Sequence, residues 1–191
     1  GIIVTGEDGL PFAGWIELDD NRFLFSDEGL MLTGWQELDG TWYYLNDQGI
    51  MQTGWLYWDG HWYLLSNSGA MQTGWSYVDG NWYYLNDYGA GVVNCWRLMN
   101  GKYYYLGSDG KMKANCWIKD YGYWYCVKAD GSRYESSWAK IGGVWYWFGG
   151  SGKMAQSQWL KLGGKWYYFT GSGAMADMDL CVAEPEPEYK A

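Results

Sequence analysis

Short runs of aromatic and aliphatic residues alternate with tight turns along this chain. From Gly34 to Leu45 the order is Gly-Trp-Gln-Glu-Leu-Asp-Gly-Thr-Trp-Tyr-Tyr-Leu, two β-prone segments around Asp39-Gly40. Asp-Gly favours a two-residue type I′ turn, because both central residues need positive φ. Strand alternation in the resulting hairpin puts Trp35 and Trp42 on one face and Tyr43 on the other.

The same unit recurs about eight times, in steps of 20 and then 21 residues. Its first tryptophan lies at positions 15, 35, 55, 75, 96, 117, 138 and 159. Seven residues later comes a second aromatic residue, except in the first unit, which has Arg22 there. Most units end in a glycine followed two residues on by a methionine, which we expect to fill gaps between hairpins. A lone hairpin is marginal in water, so the pattern predicts an all-β solenoid of stacked hairpins.

Composition and charge narrow the function further. Trp (16) and Tyr (19) far outnumber Phe (5), which favours half-exposed binding surfaces over a plain apolar core. Residues 1–90 carry 13 acidic residues and one Arg (−12), and residues 91–191 carry 9 acidic and 12 basic residues (+3), giving −9. This balance argues against nucleic acid as a partner. No apolar run is long enough for a membrane span.

We expect the repeats to occupy residues 1–178, and an acidic, proline-containing tail to occupy 179–191. The segment 1–5 lacks the pattern of a signal peptide, and we expect it to be a cut within a longer repeat array.

The residues needed for catalysis are scarce, so we expect a binding protein and not an enzyme. The single histidine, His61, adjoins a turn and has no nucleophile motif beside it. Cys95, Cys116, Cys126 and Cys181 match no zinc or redox spacing, and free thiols are the simplest interpretation, with a disulfide left open. No cofactor or metal motif is found.

The unit resembles the choline-binding repeat, also called the cell-wall-binding repeat. The likeness is carried by Gly34-Trp35, by Asp39-Gly40-Thr41-Trp42-Tyr43-Tyr44-Leu45, and by Gly49 to Trp55, and it extends over roughly residues 6–178. It implies a left-handed superhelix of hairpins with shallow aromatic sites between neighbours. It also implies a secreted bacterial protein held at the cell wall through phosphocholine on teichoic acid, with chains that pair through their terminal repeats.

Each implied cage takes two rings from one unit and a third from the next. The complete candidate sets are Trp55, Trp62 and Tyr84; Trp75, Trp82 and Tyr105; Trp138, Trp145 and Tyr168; and Trp117, Trp124 and Trp147. A further pair, Trp35 and Trp42, would meet Leu64 where a tyrosine is expected. Trp15 has the cation Arg22 beside it, and Trp96 with Tyr103 would meet Cys126, so both units are expected to be poor sites. We expect the middle tyrosine of each Trp-Tyr-Tyr run, on the other face, to be structural.

The chemistry supports a cationic ligand independently, since a quaternary ammonium group binds aromatic faces and cannot donate hydrogen bonds. Two other functions remain open. Similar repeats bind glucans or host glycans by stacking sugars on aromatic rings, and a purely structural stalk is the third hypothesis. Retention on a choline-like amine resin, on a glucan, or on neither separates the three.

Overall fold

The computed structural model describes residues 4–7 and 9–176, which form β-strands, turns and loops without a helix. The expected tail at 179–191 and Cys181 lie outside the described residues. None of the described residues forms a helix long and apolar enough to cross a membrane.

The described chain divides into two compact parts, each with four hairpins. From here on they are called the first unit and the second unit, and the 20- to 21-residue element of the sequence is called a repeat. The first contains the described residues up to Val93, together with Ser108–Lys111. Its strands are β1 Gly14–Leu18, β2 Asn21–Phe25, β3 Gly34–Leu38, β4 Thr41–Leu45, β5 Gly54–Trp58, β6 His61–Leu65, β7 Gly74–Val78 and β8 Asn81–Leu85. The second contains Asn94–Gly107 and the described residues from Met112 onward. Its strands are β9 Cys95–Met99, β10 Lys102–Leu106, β11 Cys116–Asp120, β12 Tyr123–Val127, β13 Ser137–Ile141, β14 Val144–Phe148, β15 Gln158–Leu162 and β16 Lys165–Phe169.

The predicted all-β class and the repeated hairpins are confirmed, as are the predicted turn and register. Each strand pairs only with its hairpin partner within the described sheets. Asp39 and Gly40 have φ of 51° and 75°, as a type I′ turn requires. Trp35 lies opposite Tyr44, and Glu37 lies opposite Trp42. The sense of the superhelix stays a prediction.

One apolar residue at the end of each hairpin forms the core of each unit. Leu45, Leu65 and Leu85 are at most 2% exposed in the first unit. The second unit repeats the position with Leu106, Val127, Phe148 and Phe169, which are equally buried. Burying each such side chain contributes about 1.5–3 kcal/mol, so this position stabilises every repeat.

Consecutive hairpins within a unit are joined by a backbone hydrogen bond next to the second aromatic residue. Met71 N–H donates to the carbonyl oxygen of Trp42 at 2.8 Å, and Met175 N–H donates to that of Trp145 at 2.8 Å. Because this bond fixes the residue two after the loop glycine, it sets which side chain lies against the tryptophans of the preceding hairpin.

Candidate functional site

Five of the described hairpins present two tryptophans on one face, with interplanar angles of 75–90°. The centroids of Trp55 and Trp62 are 6.4 Å apart with an interplanar angle of 90°. Those of Trp138 and Trp145 are 6.2 Å apart at 88°. Strand register causes this arrangement, because the first tryptophan and the residue opposite the second are two positions apart on the same strand.

The following hairpin supplies a third ring from its opposite face. Tyr83 meets Trp55 with centroids 4.8 Å apart, and Tyr167 meets Trp138 at 4.9 Å. Stacked hairpins put the tyrosine face of one against the tryptophan face of the one before. The middle tyrosines, expected to be structural, therefore adjoin the predicted cages.

An open crevice lies in the first unit, next to Trp55 and Trp62. It has a volume of about 330 Å³ and is lined by Trp55, Trp62, Tyr83, Tyr84, Gly91, Val92, Val93, Ser108, Asp109 and Gly110. Trp62 is 52% exposed, so one wall of the crevice is open to solvent. Aromatic rings, a hydroxyl and a carboxylate share this lining, which suits a ligand with an apolar cationic head and a polar remainder.

A second crevice repeats the arrangement in the second unit. It has a volume of about 290 Å³ and is lined by Trp138, Trp145, Tyr167 and Met175. Trp145 is 42% exposed. Two perpendicular indoles and a tyrosine therefore line both crevices, although the other residues of the two linings differ.

The two crevices differ in the side chain at the position two residues after the loop glycine. Met175 lines the second, whereas Gly91 takes the equivalent position in the first. Elsewhere this methionine packs on the next loop glycine: a Cβ added at Gly69 would overlap Sδ of Met51. Gly91 places no side chain over Gly110, and this vacated volume widens the crevice.

All four predicted third rings pack within their own hairpins, including Tyr105, whose centroid lies 5.0 Å from that of Trp96. Tyr84 lies 5.4 Å from Trp75 and also lines the first crevice. Tyr168 lies 5.3 Å from Trp159, and Trp147 lies 5.5 Å from Trp138. The second crevice has Tyr167, and not Tyr168, among its described lining residues.

Two other predicted sets are completed by residues that the sequence reasoning did not select. Trp35 and Trp42 are 6.5 Å apart, and Trp35 also contacts Tyr63 at 5.0 Å and Trp58 at 6.1 Å. Trp58 ends strand β5, beside the turn, and only its aromatic character could have identified it.

Trp117 and Trp124 are 6.4 Å apart, and Tyr146 lies 5.0 Å from Trp117. These rings pack against buried Met154, so this set is more closed.

Trp75 and Trp82 are 6.3 Å apart at 78° within the first unit. Tyr105, their predicted third ring, belongs to the second unit. This set stays a prediction.

Cations of the chain itself lie on several of these rings. The guanidinium of Arg22 lies 4.9 Å from the ring of Trp15. Lys140 Nζ lies 5.8 Å from the ring of Trp145, and Lys119 and Lys161 repeat this contact on Trp124 and Trp166 at 5.6 and 5.9 Å. In the first unit the position opposite Trp62 is Tyr57, whose ring lies 5.1 Å away. Trp62 in the first unit therefore has an uncharged neighbour, Tyr57. The second tryptophan of three hairpins in the second unit has a lysine beside it instead.

Shifted pKa values belong to the scaffold more than to the crevices. Burial raises the pKa of the Cys126 thiol to about 11, with a smaller contribution from Cys116. Burial, followed by the charge of Asp120, raises the pKa of Tyr105. Hydrogen bonds from the side chain and backbone N–H of Ser132 lower the pKa of Asp130 to about 2.

Residues suited to catalysis or metal binding are not clustered in the described part of the chain. His61 is exposed, and its Nδ1 lies 3.0 Å from the carbonyl oxygen of Asp59. Cys95, Cys116 and Cys126 are free thiols. Among residues 4–7 and 9–176, no group of three metal-ligating side chains converges.

Sequence profiles of known repeats match most of the chain. Choline-binding repeat profiles match residues 32–72 and 135–178, and residues 90–132, and a putative cell wall binding repeat profile matches residues 73–90. No curated protein sequence matches the chain.

Solved structures from Streptococcus pneumoniae share the fold. CbpJ, from strain TIGR4, is 32% identical with a TM-score of 0.74, and the alignment covers 87% of this chain and 59% of CbpJ. Choline binding protein F, solved with a tetrasaccharide-pentapeptide peptidoglycan analogue, is 31% identical with a TM-score of 0.73, covering 87% of this chain and 58% of that protein. The chain thus spans less than two thirds of either relative.

The choline-binding domain of CbpL, from the same species, is matched over most of its own length. It is 36% identical with a TM-score of 0.64, and the alignment covers 76% of this chain and 78% of that domain. Repeated profile matches and this coverage agree with the hairpins and paired tryptophans described above, and the chain belongs to the choline-binding repeat family.

Proposed function

We propose that this chain is a non-catalytic module that attaches a secreted protein to the bacterial cell surface by binding choline groups of teichoic acid. The observation that carries the proposal is the pair of open aromatic crevices, at Trp55 with Trp62 and at Trp138 with Trp145. Repeats of this family bind choline groups.

The crevices have the chemistry that a trimethylammonium group requires. Its methyl groups carry the positive charge and offer no hydrogen-bond donor, so the negative faces of aromatic rings are its best protein partners. Each ring face contributes about 0.5–2 kcal/mol, with Trp the strongest. After the cost of association, a single site binds choline at roughly millimolar Kd, or about −4 kcal/mol.

Repetition offsets the weakness of single sites on a polymeric ligand. A teichoic acid chain carries many choline groups. Once one group is bound, the other groups on the same chain lie at a high effective concentration near the remaining crevices. Two or more occupied crevices increase avidity by about 10²–10⁴ over one. The remaining predicted sets, around Trp35 with Trp42, Trp75 with Trp82, and Trp117 with Trp124, would add sites to the same polymer.

The decisive experiment is a choline titration followed by tryptophan fluorescence on the full chain, beside variants Trp62→Ala and Trp145→Ala. We expect saturable changes near millimolar choline, a smaller amplitude in each variant, and retention on a choline-like amine resin with elution by free choline. Tyr88→Ala, which removes an exposed loop ring outside both crevices, is the control. An unchanged fluorescence together with no retention on the resin refutes the proposal.

A glycan ligand is the second candidate, because Ser108 and Asp109 line the first crevice beside the aromatic rings. Sugars stack on aromatic faces and need such polar groups for their hydroxyls. Retention on a dextran column with elution by glucan, and not by choline, would favour this function. Failure to bind either resin would favour a structural stalk.

A further inference from the structure

One repeat of the second unit has an arginine where its neighbours have methionine. Two residues after the loop glycine, Met154 and Met175 have Arg133 as their counterpart. Its backbone makes the same link to the preceding hairpin: Arg133 N–H donates to the carbonyl oxygen of Tyr103 at 3.0 Å, as Met154 N–H donates to that of Trp124 at 2.8 Å. Arg133 is thus held in the methionine register.

The stem of Arg133 also follows the path of the methionine side chain. A Cβ added at Gly152 would lie 2.5 Å from Nε of Arg133. The equivalent Cβ at Gly173 would overlap Sδ of Met154. The longer arginine therefore runs over the loop glycine and extends beyond the end of a methionine.

The guanidinium reaches the three rings that correspond to a complete cage. Arg133 Cζ lies 4.1 Å from the centroid of Tyr103, 5.2 Å from that of Trp96 and 5.8 Å from that of Tyr125. Trp96 and Tyr125 are themselves 5.1 Å apart. By position in the repeat these rings are the counterparts of Trp138, Trp145 and Tyr167, which line the open second crevice.

A carboxylate completes the surroundings of this cation. Arg133 Nε donates to Oε1 of Glu135, and the two side chains are 11% and 32% exposed. Arginine is cationic throughout the accessible pH range, and its planar fork stacks on aromatic rings. The charge is therefore buried among three rings and paired.

We propose that the Trp96–Tyr103–Tyr125 cage is a cation site that the protein fills with its own Arg133, so that this crevice binds no choline. The inference rests on the proposed function, because it treats the neighbouring crevices as choline sites. A tethered cation competes at an effective concentration at or above the millimolar range, whereas free choline binds a single cage at roughly millimolar Kd. Arg133 therefore excludes free choline from its own cage.

Replacing Arg133 opens the cage and leaves its carboxylate without a cation. Arg133→Met gives this repeat the side chain that Met175 supplies beside the open second crevice, and it removes the cation that pairs with Glu135. That combination favours a quaternary ammonium group. We therefore expect Arg133→Met to convert a closed cage into a choline site.

The test follows the indole N–H signals of the full chain by ¹⁵N NMR during choline titration. In the wild-type protein we expect the signals of Trp62 and Trp145 to shift and the signal of Trp96 to stay fixed. In Arg133→Met we expect Trp96 to shift as well, near millimolar choline. Lys165→Met, which removes the same charge from an exposed strand position, is the matched control and should leave Trp96 fixed.

The outcomes separate this inference from the proposed function. If Trp96 shifts in the wild-type protein together with Trp62 and Trp145, choline binding stands and the internal-ligand proposal is wrong. If the folded Arg133→Met protein leaves Trp96 fixed, the proposal is also wrong. If no tryptophan signal shifts in the wild-type protein, the proposed function is wrong, and the internal-ligand proposal, which depends on it, is wrong as well.

Folding of the variant is checked independently. Should Arg133→Met fail to fold, Arg133→Lys keeps a cation but loses the planar fork that stacks on Tyr103. We then expect a shift of Trp96 that is intermediate between wild type and an empty cage. A Trp96 signal as fixed as in wild type would contradict the role of the guanidinium.

Discussion

Tyr83 lies 4.8 Å from Trp55, with the two ring planes at 65°, although the residues belong to different hairpins and to opposite faces of them. Six described hairpin pairs show this contact between a first tryptophan and the middle tyrosine of the following hairpin, at 4.8–5.1 Å. It is the contact by which one repeat completes the aromatic wall of another.

The third ring of the second crevice can be identified with two neighbouring variants. Tyr167→Leu should weaken choline binding at Trp138 and Trp145 by about 2- to 30-fold, because it removes one ring face. Tyr168→Leu should have a smaller effect, since that ring packs on Trp159 of its own hairpin. The measurement is choline titration of the Trp138 indole signal. A larger loss in Tyr168→Leu would favour the ring expected from the sequence.

Gly91 should set the size of ligand that the first crevice accepts. Gly91→Met refills the volume that this glycine vacates, so binding of benzyltrimethylammonium at Trp62 should fall about tenfold relative to choline. The new Cβ would lie 3.2 Å from the carbonyl oxygen of Trp62, a close approach that requires a small backbone shift.

The reciprocal variant Met175→Gly is the control for this effect in the second crevice, where it should favour the bulkier ligand. Equal selectivity in Gly91→Met and wild type would show that the methionine position does not control size.

Lys140 should weaken choline binding beside Trp145 by simple repulsion. Its Nζ lies 5.8 Å from the ring centroid, where it competes with a second cation for the same indole. Lys140→Met should tighten binding about twofold at low ionic strength, a difference that salt should remove because exposed charges are screened. Lys165→Met controls for net charge. An advantage that persists in 1 M salt would point to packing instead of charge.

The turn of the sixth hairpin should limit the stability of the second unit. Tyr121 has φ of 45° where other hairpins place Asp, Asn or Gly, and its side chain is 94% exposed. A left-handed backbone costs a residue with a bulky Cβ substituent about 1–2 kcal/mol, and Asn tolerates it better. Tyr121→Asn should therefore raise the urea midpoint by an amount equivalent to about 1 kcal/mol. Tyr88→Asn, an exposed loop residue outside the left-handed region, should leave the midpoint unchanged.

Cys126 should resist alkylation in the native protein. Burial raises the pKa of its thiol to about 11, so little thiolate is present at pH 8. Because the folded state favours the protonated thiol, this contribution to stability is complete below the ordinary thiol pKa and is lost as pH rises towards 11. Iodoacetamide at pH 8 should label Cys126 at least tenfold more slowly than in urea. Labelling at the unfolded rate would show that the site opens.

The sequence by itself determined the hairpins, their turns and their register. These depend on contacts between residues a few positions apart: Asp39-Gly40 accepts positive φ, and period-two alternation then places Trp35 with Trp42. Gly91 and Arg133 stand where most repeats have a methionine, but they were not singled out from the sequence, and their sequence context does not say what they do.

Only the tertiary structure decided which ring closes each crevice and which crevices are filled. The identity of Tyr83 as the ring on Trp55 follows from the way one hairpin rotates onto the next, which no alternation within a strand specifies. Likewise, Arg133 reaches Tyr103 because a backbone hydrogen bond 30 residues along the chain fixes its starting point and Gly152 leaves a path for its stem. Local rules fix which way side chains point within a repeat, whereas packing between repeats decides what they meet.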